Sequence, residues 1–349
     1  MPERRVNREG LQSFTKTIFE RAGMPPDDAA IEAEVLVWAN LRGVDSHGVQ
    51  RVDGYVHAID NGYMNPRPDI RIEKETAAIL LIEADHAFGP VVTTLAMHKV
   101  MEKAREAGIG WALIRNTTHQ GAMAYYTHLA AAQQMAGIAV VCNPPNTAPP
   151  GARAAGVHNS PLAIAVPSKN KPPISLDMAT SVAAHGKLAV AADKGDSIPD
   201  TWATDKEGEP TTDPHQAVFL QPAGGYKGYG MALMFECLSS IMVGNPLLMT
   251  SIRRQNQPMP GTQNSFVAAI DIAMFTDTEV YGEQIDGTVE ALKSLPKKEG
   301  VDEILVPGEP ENKAYEERSA YGIPLPEATA ERLREVGRRF EIETPSDLT

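Results

Sequence analysis

Residues 67–142 switch repeatedly between two hydrophobic rhythms, and that alternation restricts the fold more than any other feature of the chain. RPDIRIEKETAAILLIEAD alternates and ends in an apolar run, as one strand would, behind Pro66 and Pro68, which mark its boundary. GPVVTTLAMHKVMEKAREA at 89–107 repeats at helical spacing, and IGWALIRN follows as a strand. Strand, helix and strand in that order predict a parallel pair joined by a crossover. The helix AMAYYTHLAAAQQMA and the strand GIAVVCN continue the unit. Residues 117–121 are thereby left as a turn between a strand end and a helix start, with His119 inside it.

The flanks read differently. Leu11, Phe14 and Ile18 recur at helical spacing, and a second helix after Pro25-Pro26-Asp27-Asp28 carries Ile31, Val35 and Trp38 on one side. A third helix is expected from about Ser46 to Gly62. Beyond 142 come short strands among turn residues, a helix at 186–194, a long apolar helix at 227–243 and the strand FVAAIDI. The last forty residues read as helical and are expected to return to the N-terminal helices. The chain thus divides into a helical part, 1–75 with 300–349, and a mixed-sheet part, 76–299; its 349 residues suffice for two cores.

Charge and cysteine usage exclude several functions. Lys and Arg total 32 against 45 Asp and Glu, so a net charge of −13 opposes a phosphate backbone or an anionic membrane as partner. Only Cys142 and Cys237 are present, each in an apolar stretch, which argues against a disulfide framework and for a reducing compartment. MPERRVNREGLQSF has no apolar signal core, so a cytoplasmic location is expected. GYGMALMFECLSSIMVGNPLLM carries Glu236 at mid-length, where a lipid-facing carboxylate costs roughly 2.5–3.5 kcal/mol, and reads as a buried helix instead.

Four groups of residues can carry chemistry. In Asp45-Ser46-His47-Gly48, with Arg51 and Tyr55 downstream, a helix starting near Ser46 places His47, Arg51 and Tyr55 on one face. That face can grip a carboxylate through a bidentate guanidinium, although an ordinary polar helix face has the same letters. His119, in Asn116-Thr117-Thr118-His119-Gln120-Gly121, occupies the strand-to-helix turn where ligands of open α/β sheets gather. An imidazole there can take a proton from a 2-hydroxyl or return it; a histidine that only caps the next helix is the competing explanation.

Neither G-x-G-x-x-G after a strand nor G-x-x-x-x-G-K-[ST] occurs, which disfavours a Rossmann domain. Gly224-Gly225-Tyr226-Lys227-Gly228-Tyr229-Gly230 opens the long apolar helix instead, and its amides with Lys227 can hold a pyrophosphate, or form a plain flexible turn. The carboxylate and hydroxyls of Asp177-Met178-Ala179-Thr180-Ser181, with His185-Gly186-Lys187 shortly after, can bond a ribose or carboxamide, or Asp177 and Ser181 merely cap helices. His57, His86, His98, His128, His158 and His215 show no ligand-like spacing with acidic residues, and H-E-x-x-H is absent, so no catalytic metal is expected.

Taken together, DSHGVQR at 45–51, NTTHQG at 116–121, NSPLAIAVP at 159–167, SLDMATS at 175–181, IPDTWATDKEGEPTTDP at 198–214 and GGYKGYGMAL at 224–233 resemble the type 2 malate/L-lactate dehydrogenase family over nearly the whole chain. That family includes ureidoglycolate and sulfolactate dehydrogenases, 2,3-diketo-L-gulonate reductase and Δ1-piperideine-2-carboxylate reductase. The resemblance implies an α/β fold with a non-Rossmann nicotinamide-binding part on a mostly antiparallel mixed sheet, a helical part built from both termini, and a homodimer. It implies NAD or NADP as cofactor and a small carboxylate as substrate.

By the same resemblance His119 is the acid/base, with Ser46 and His47 beside it as catalytic residues. Arg51 and Tyr55 face the substrate together with His119. His47, Asn143, Asp177, Met178, Ala179, His185, Lys227 and Gly228 contact the cofactor. The chain departs from the family where members carry P-[FW]-G-G and G-T-N-P: here stand Pro149-Pro150-Gly151-Ala152 and His158-Asn159-Ser160-Pro161. Thr262 replaces an arginine of the ureidoglycolate enzymes. The expected reaction is hydride transfer between nicotinamide and C2 of a 2-hydroxy or 2-oxo acid of malate, lactate or ureidoglycolate type. Cyclic imino acid reduction is the alternative within enzymes, and a carboxylate-binding scaffold is the alternative outside them.

Overall fold

The computed structural model describes residues 4–349. Strand β1 (Arg4–Val6) leads into helices α1 (Arg8–Arg21) and α2 (Pro26–Leu41). Asn7 starts α1 by accepting the backbone N–H groups of Glu9 and Gly10, which would otherwise lack partners. Helix α3 (Val52–Asp60) begins later than its periodicity suggests, because Asp45–His47 and Val49–Arg51 are two 3-10 turns. Gly48 interrupts them with an extended backbone (φ −93°, ψ −156°) and presses on Asn40, whose Oδ1 accepts the N–H of Val49 at 2.8 Å. A Cβ at Gly48 would lie 2.2 Å from that oxygen.

The alternating segment 67–85 is a hairpin, not one strand: β2 (Arg71–Glu75) and β3 (Ile79–Glu83) pair antiparallel, and Thr76 accepts the N–H of Ile79 to close the turn. Helix α4 (Gly89–Ala107) and strand β4 (Ile109–Thr117) follow as expected, and β3 pairs with β4 in parallel. Helix α5 (Ala124–Ala132) stops short of its predicted end, since Gln134 turns at φ 60° and Met135 already belongs to β5 (Met135–Cys142).

Then come β6 (Leu162–Val166), β7 (Ile174–Met178), α6 (His185–Lys194), the short pair β8 (Ala203–Thr204) and β9 (Phe219–Leu220), and α7 (Tyr226–Glu236). Helix α8 (Leu247–Arg253), strand β10 (Gln263–Asp271), helices α9 (Thr278–Lys293) and α10 (Glu309–Tyr321), strand β11 (Ile323–Leu325) and helix α11 (Glu327–Arg339) complete the chain.

The main sheet has seven strands in the order β2-β3-β4-β10-β5-β6-β7, and every neighbouring pair except β3-β4 is antiparallel. Strand β10 arrives from far along the chain and slots between β4 and β5. Val92, Ala96, Met97 and Val100 of α4 and Tyr126 and Ala130 of α5 bury one face of the sheet. Leu113, Val140 and Phe266 on the other face pack on Val243 and Leu247. Helices from both chain ends share a separate core of Leu11, Phe14, Ile18, Leu36, Leu333 and Val336, and β1 pairs with β11 there.

The reading of 227–243 as a buried helix is overturned. Helix α7 ends at Glu236, a wider π turn spans Cys237–Ile241, and Leu233, Met234, Leu238, Ile241 and Met242 are exposed on its outer side. Glu236 itself is buried, and its Oε1 accepts the N–H groups of Leu247 and Leu248, so the carboxylate caps α8. No helix among the described residues is long and apolar enough to cross a membrane.

Candidate active site

The turn after β4 is fastened on every side. Thr118 donates both its N–H and its hydroxyl to the carbonyl of Ala87, at 3.2 and 2.9 Å. Thr93 donates to the Gln120 side chain at 2.9 Å, and the Tyr126 hydroxyl donates to the Gln120 carbonyl at 2.5 Å. Gly121 takes φ +65°, a left-handed backbone that glycine adopts without strain, and turns the chain into α5. His119 is therefore presented by rigid backbone.

Its proton can be located from its partners. The Gly121 N–H points at Nδ1 from 3.2 Å, and the Tyr55 hydroxyl lies 2.5 Å from the same nitrogen. Nδ1 thus accepts, Tyr55 donates, and in the neutral ring the proton sits on Nε2. Burial, reinforced by His47, Arg51 and His158, holds the pKa of His119 well below the ordinary imidazole value. The His47 ring stacks 5.2 Å away at 28°, and burial together with Arg51 lowers its pKa to about 4.

Segment 45–51 reaches this histidine by a route the sequence reading did not foresee. Arg318, on α10, clasps Asp45 through two charge-assisted bonds of 2.7 and 3.1 Å, and Asn40 adds a third at 2.6 Å. Ser46 Oγ lies 2.9 Å from His47 Nδ1, and Arg51 donates through Nε to the Ser46 carbonyl at 2.7 Å. The expected continuous helical face through His47, Arg51 and Tyr55 does not exist, because both 3-10 turns intervene. His47 and Tyr55 meet His119 nonetheless, and Arg51 is near enough to hold its pKa down. Arg318 was missed because it lies 273 residues from Asp45, with no local signal to mark it.

A cavity of about 670 Å³ opens beside these residues, with Ser46, His47, Gly121, Asn159, Asp177 and Lys187 among its walls. Met178 and Ala179 also line it. Asp177 Oδ2 accepts the N–H of Ala124 at 2.9 Å, so this carboxylate does cap a helix, but it is α5 rather than the one that follows it in sequence. His185 is exposed in the first turn of α6 and is not part of the lining; Lys187, for which the sequence reading named no contact of its own, is.

Gly224 and Gly225 both take φ +61° before α7, and Gly228 packs so closely that a Cβ would lie 2.2 Å from the carbonyl of Thr180. That contact, with the 2.8 Å bond from Ala223 N–H to Thr180, ties the glycine turn to the residue after Ala179. Lys227 is exposed at the start of α7, outside the cavity walls. Asn143 is not among the cavity walls; its terminal amide lies against His158, 2.5 Å from Nε2. Thr262 is buried with its hydroxyl unpartnered. A second cavity, about 590 Å³, lies on the far side of Trp38 between α4 and α5 and includes none of the residues around His119.

Comparison with known proteins matches this arrangement over its length. The L-sulfolactate dehydrogenase of Methanothermobacter thermautotrophicus is 35% identical over 340 residues, covering 97% of this chain and 98% of that protein. The malate dehydrogenase of Pyrococcus horikoshii is 36% identical over 349 residues, covering 97% and 96%. The solved sulfolactate dehydrogenase of Methanocaldococcus jannaschii superposes with a TM-score of 0.89 at 34% identity, covering 97% of this chain and 98% of that one. The sequence profile described as Malate/L-lactate dehydrogenase matches residues 6–334, and the chain belongs to that family of dehydrogenases.

Proposed function

We propose that the protein transfers hydride between a nicotinamide dinucleotide, NAD or NADP, and C2 of a small 2-hydroxy or 2-oxo acid, with His119 as acid/base. One observation carries this reading: a half-buried neutral histidine on a rigid turn has Nδ1 closed by Tyr55 and Gly121, leaving Nε2 as the nitrogen through which a proton passes. The surroundings fit the cofactor. A cavity of about 670 Å³ falls within the range of roughly 300–1,000 Å³ usual for small-molecule sites, and Asn143 keeps one buried end of its amide without a protein partner. Asp177, Met178, Ala179, Lys227 and Gly228 are the residues proposed to hold the dinucleotide.

When bound, the nicotinamide supplies or accepts the hydride. The chain's own residues handle the oxygen and the carboxylate. Arg51, with His47 and Ser46, is proposed to receive the substrate carboxylate, whose negative charge then raises the depressed pKa of His119. Tyr55 can reverse its hydroxyl from donor to acceptor as the ring gains a proton at Nδ1, since a phenol does both. In reduction the ring, once it has taken a second proton from solvent at Nδ1, gives its Nε2 proton to the C2 oxygen and is left neutral with the proton on Nδ1; in oxidation that tautomer takes the proton back at Nε2 and releases the one on Nδ1 to solvent.

The exposed apolar side chains of α7 and the π turn support a homodimer, because an unpartnered face of this kind costs least when a second copy covers it. Oxidation of reduced NAD and reduced NADP with a panel of 2-oxo acids and cyclic imino acids tests the function. Turnover with a 2-oxo acid supports it, turnover with cyclic imines alone supports the imine reductase, and none with either supports a scaffold.

A further inference from the structure

A buried histidine stands in the string 158–161, where the chain departs from the family pattern. His158 is 5% exposed, and its Nδ1 accepts the backbone N–H of Ser160 at 2.9 Å. Its Nε2 lies 2.5 Å from the terminal amide of Asn143. Burial, with His185 nearby, pushes its pKa down to about 3, so the ring is neutral and carries a single proton. Since Nδ1 accepts, that proton is on Nε2.

An N–H donor at this distance cannot face an NH2 group. The Asn143 carbonyl oxygen must therefore face His158, because the two ends of an amide have nearly the same shape and only the hydrogen-bond network tells them apart. The other end of the amide is buried, and no donor of the protein reaches it. With the oxygen spent on His158, that end is the NH2. A buried donor without a partner costs about 1–3 kcal/mol until something accepts from it.

We propose that His158 is a positioning residue that turns the Asn143 amide so that its NH2, not its carbonyl, is held ready for an acceptor oxygen of the bound ligand. The carboxamide oxygen of a nicotinamide is such an acceptor, and this identification rests on the dehydrogenase reading; the direction of the amide does not. His158 lies close enough to His119 to influence its protonation, which puts this amide in the neighbourhood of the proposed acid/base.

Two measurements test the proposal. In protein labelled with 15N histidine and free of ligand, two-bond 15N–1H spectra report the tautomer of His158, assigned by the signal lost in His158→Gln. The expected result is a proton on Nε2 that does not titrate between neutral pH and about pH 5. A proton on Nδ1 would overturn the amide orientation. Asn143→Asp then keeps an acceptor for His158 but removes the NH2. Its dissociation constant for reduced NAD or NADP, read by tryptophan fluorescence quenching, should rise at least about tenfold while the melting temperature stays close to that of the native protein. In a His158→Phe background the same substitution should cost several-fold less, since the amide is no longer turned.

Unchanged affinity in Asn143→Asp, or equal losses in both backgrounds, would overturn the role of His158. A native protein that binds neither dinucleotide, with the ring still protonated at Nε2, would overturn the dehydrogenase reading and leave the amide orientation standing.

Discussion

Replacing Gly89 with alanine should slow the enzyme through a single methyl group that touches no substrate. Gly89 is the first residue of α4 and lies under the His119 turn, where a Cβ would stand 2.4 Å from the His119 carbonyl oxygen and 2.6 Å from the Gln120 Cα. Non-bonded heavy atoms rest at roughly 3.5 Å, so the turn must retreat by about 1 Å. Two of its three contacts are backbone atoms and the third is Cγ of Gln120, whose side chain and carbonyl are both held; the bonds from Thr118 to Ala87 and from Thr93 and Tyr126 to Gln120 prevent a local adjustment.

Overpacking of this kind costs about 1–3 kcal/mol of stability. A catalytic group displaced by about 1 Å loses up to about a hundredfold in rate. Thermal unfolding followed by circular dichroism should show a melting temperature lowered by several degrees. Initial rates with the preferred 2-oxo acid should fall about a hundredfold, with cofactor affinity changed by less than about twofold. Native turnover in a folded Gly89→Ala protein would refute the claim that this turn holds the reacting histidine in place.

Four further outcomes are expected. Tyr55→Phe removes the donor that keeps the His119 proton on Nε2, and should cost about 1 kcal/mol of stability in urea unfolding and about tenfold in turnover; unchanged turnover would count against Tyr55 as the partner that orients the ring. Arg318→Gln releases Asp45 and loosens the turns that carry Ser46 and His47, so kcat/KM should fall with a stability loss of about 1.5–3 kcal/mol, and steady-state kinetics with chemical denaturation would detect both. Glu32 is fully buried with neither carboxyl oxygen bonded, and burial raises its pKa well above normal. The folded state keeps its proton while the unfolded state releases it above about pH 4.5, so stability is lost as pH rises; Glu32→Leu should stabilise the protein by about 1–4 kcal/mol at pH 8, a gain that shrinks toward pH 4 as the unfolded carboxyl is protonated too, and a less stable variant at pH 8 would contradict this. His47 and His128, lowered to about 4, and His158, lowered to about 3, stay neutral when folded but take up a proton when unfolded. Each should therefore remove about 1.4 kcal/mol of stability per pH unit as pH falls below about 6.5, until its folded pKa is reached, and urea midpoints between pH 7 and pH 4.5 would reveal a missing slope.

The local rhythm of 89–142 was readable because hydrophobic spacing and turn residues act over a few positions. It placed α4, β4, α5 and β5 and put His119 in the turn between them. The hairpin at 76–78 was not readable, since an alternating run looks the same whether or not a hydroxyl such as Thr76 folds it back. The 3-10 turns at 45–51 were hidden for a similar reason: Gly48 breaks the helix by meeting Asn40, a neighbour in space. The exposure of α7 was missed because an apolar composition does not tell which side of a helix finds a partner.

What the amino-acid order decided alone was the set of short-range choices: where helices and strands run, that no standard dinucleotide fingerprint exists, and which histidine stands in a turn. Tertiary packing decided the rest. It inserted β10 between β4 and β5, joined Asp45 to Arg318, and aimed Tyr55 and the Gly121 amide at one nitrogen of His119. The location of a proton on an imidazole depends on which donors reach each nitrogen, and those donors come from segments that only the folded chain brings together.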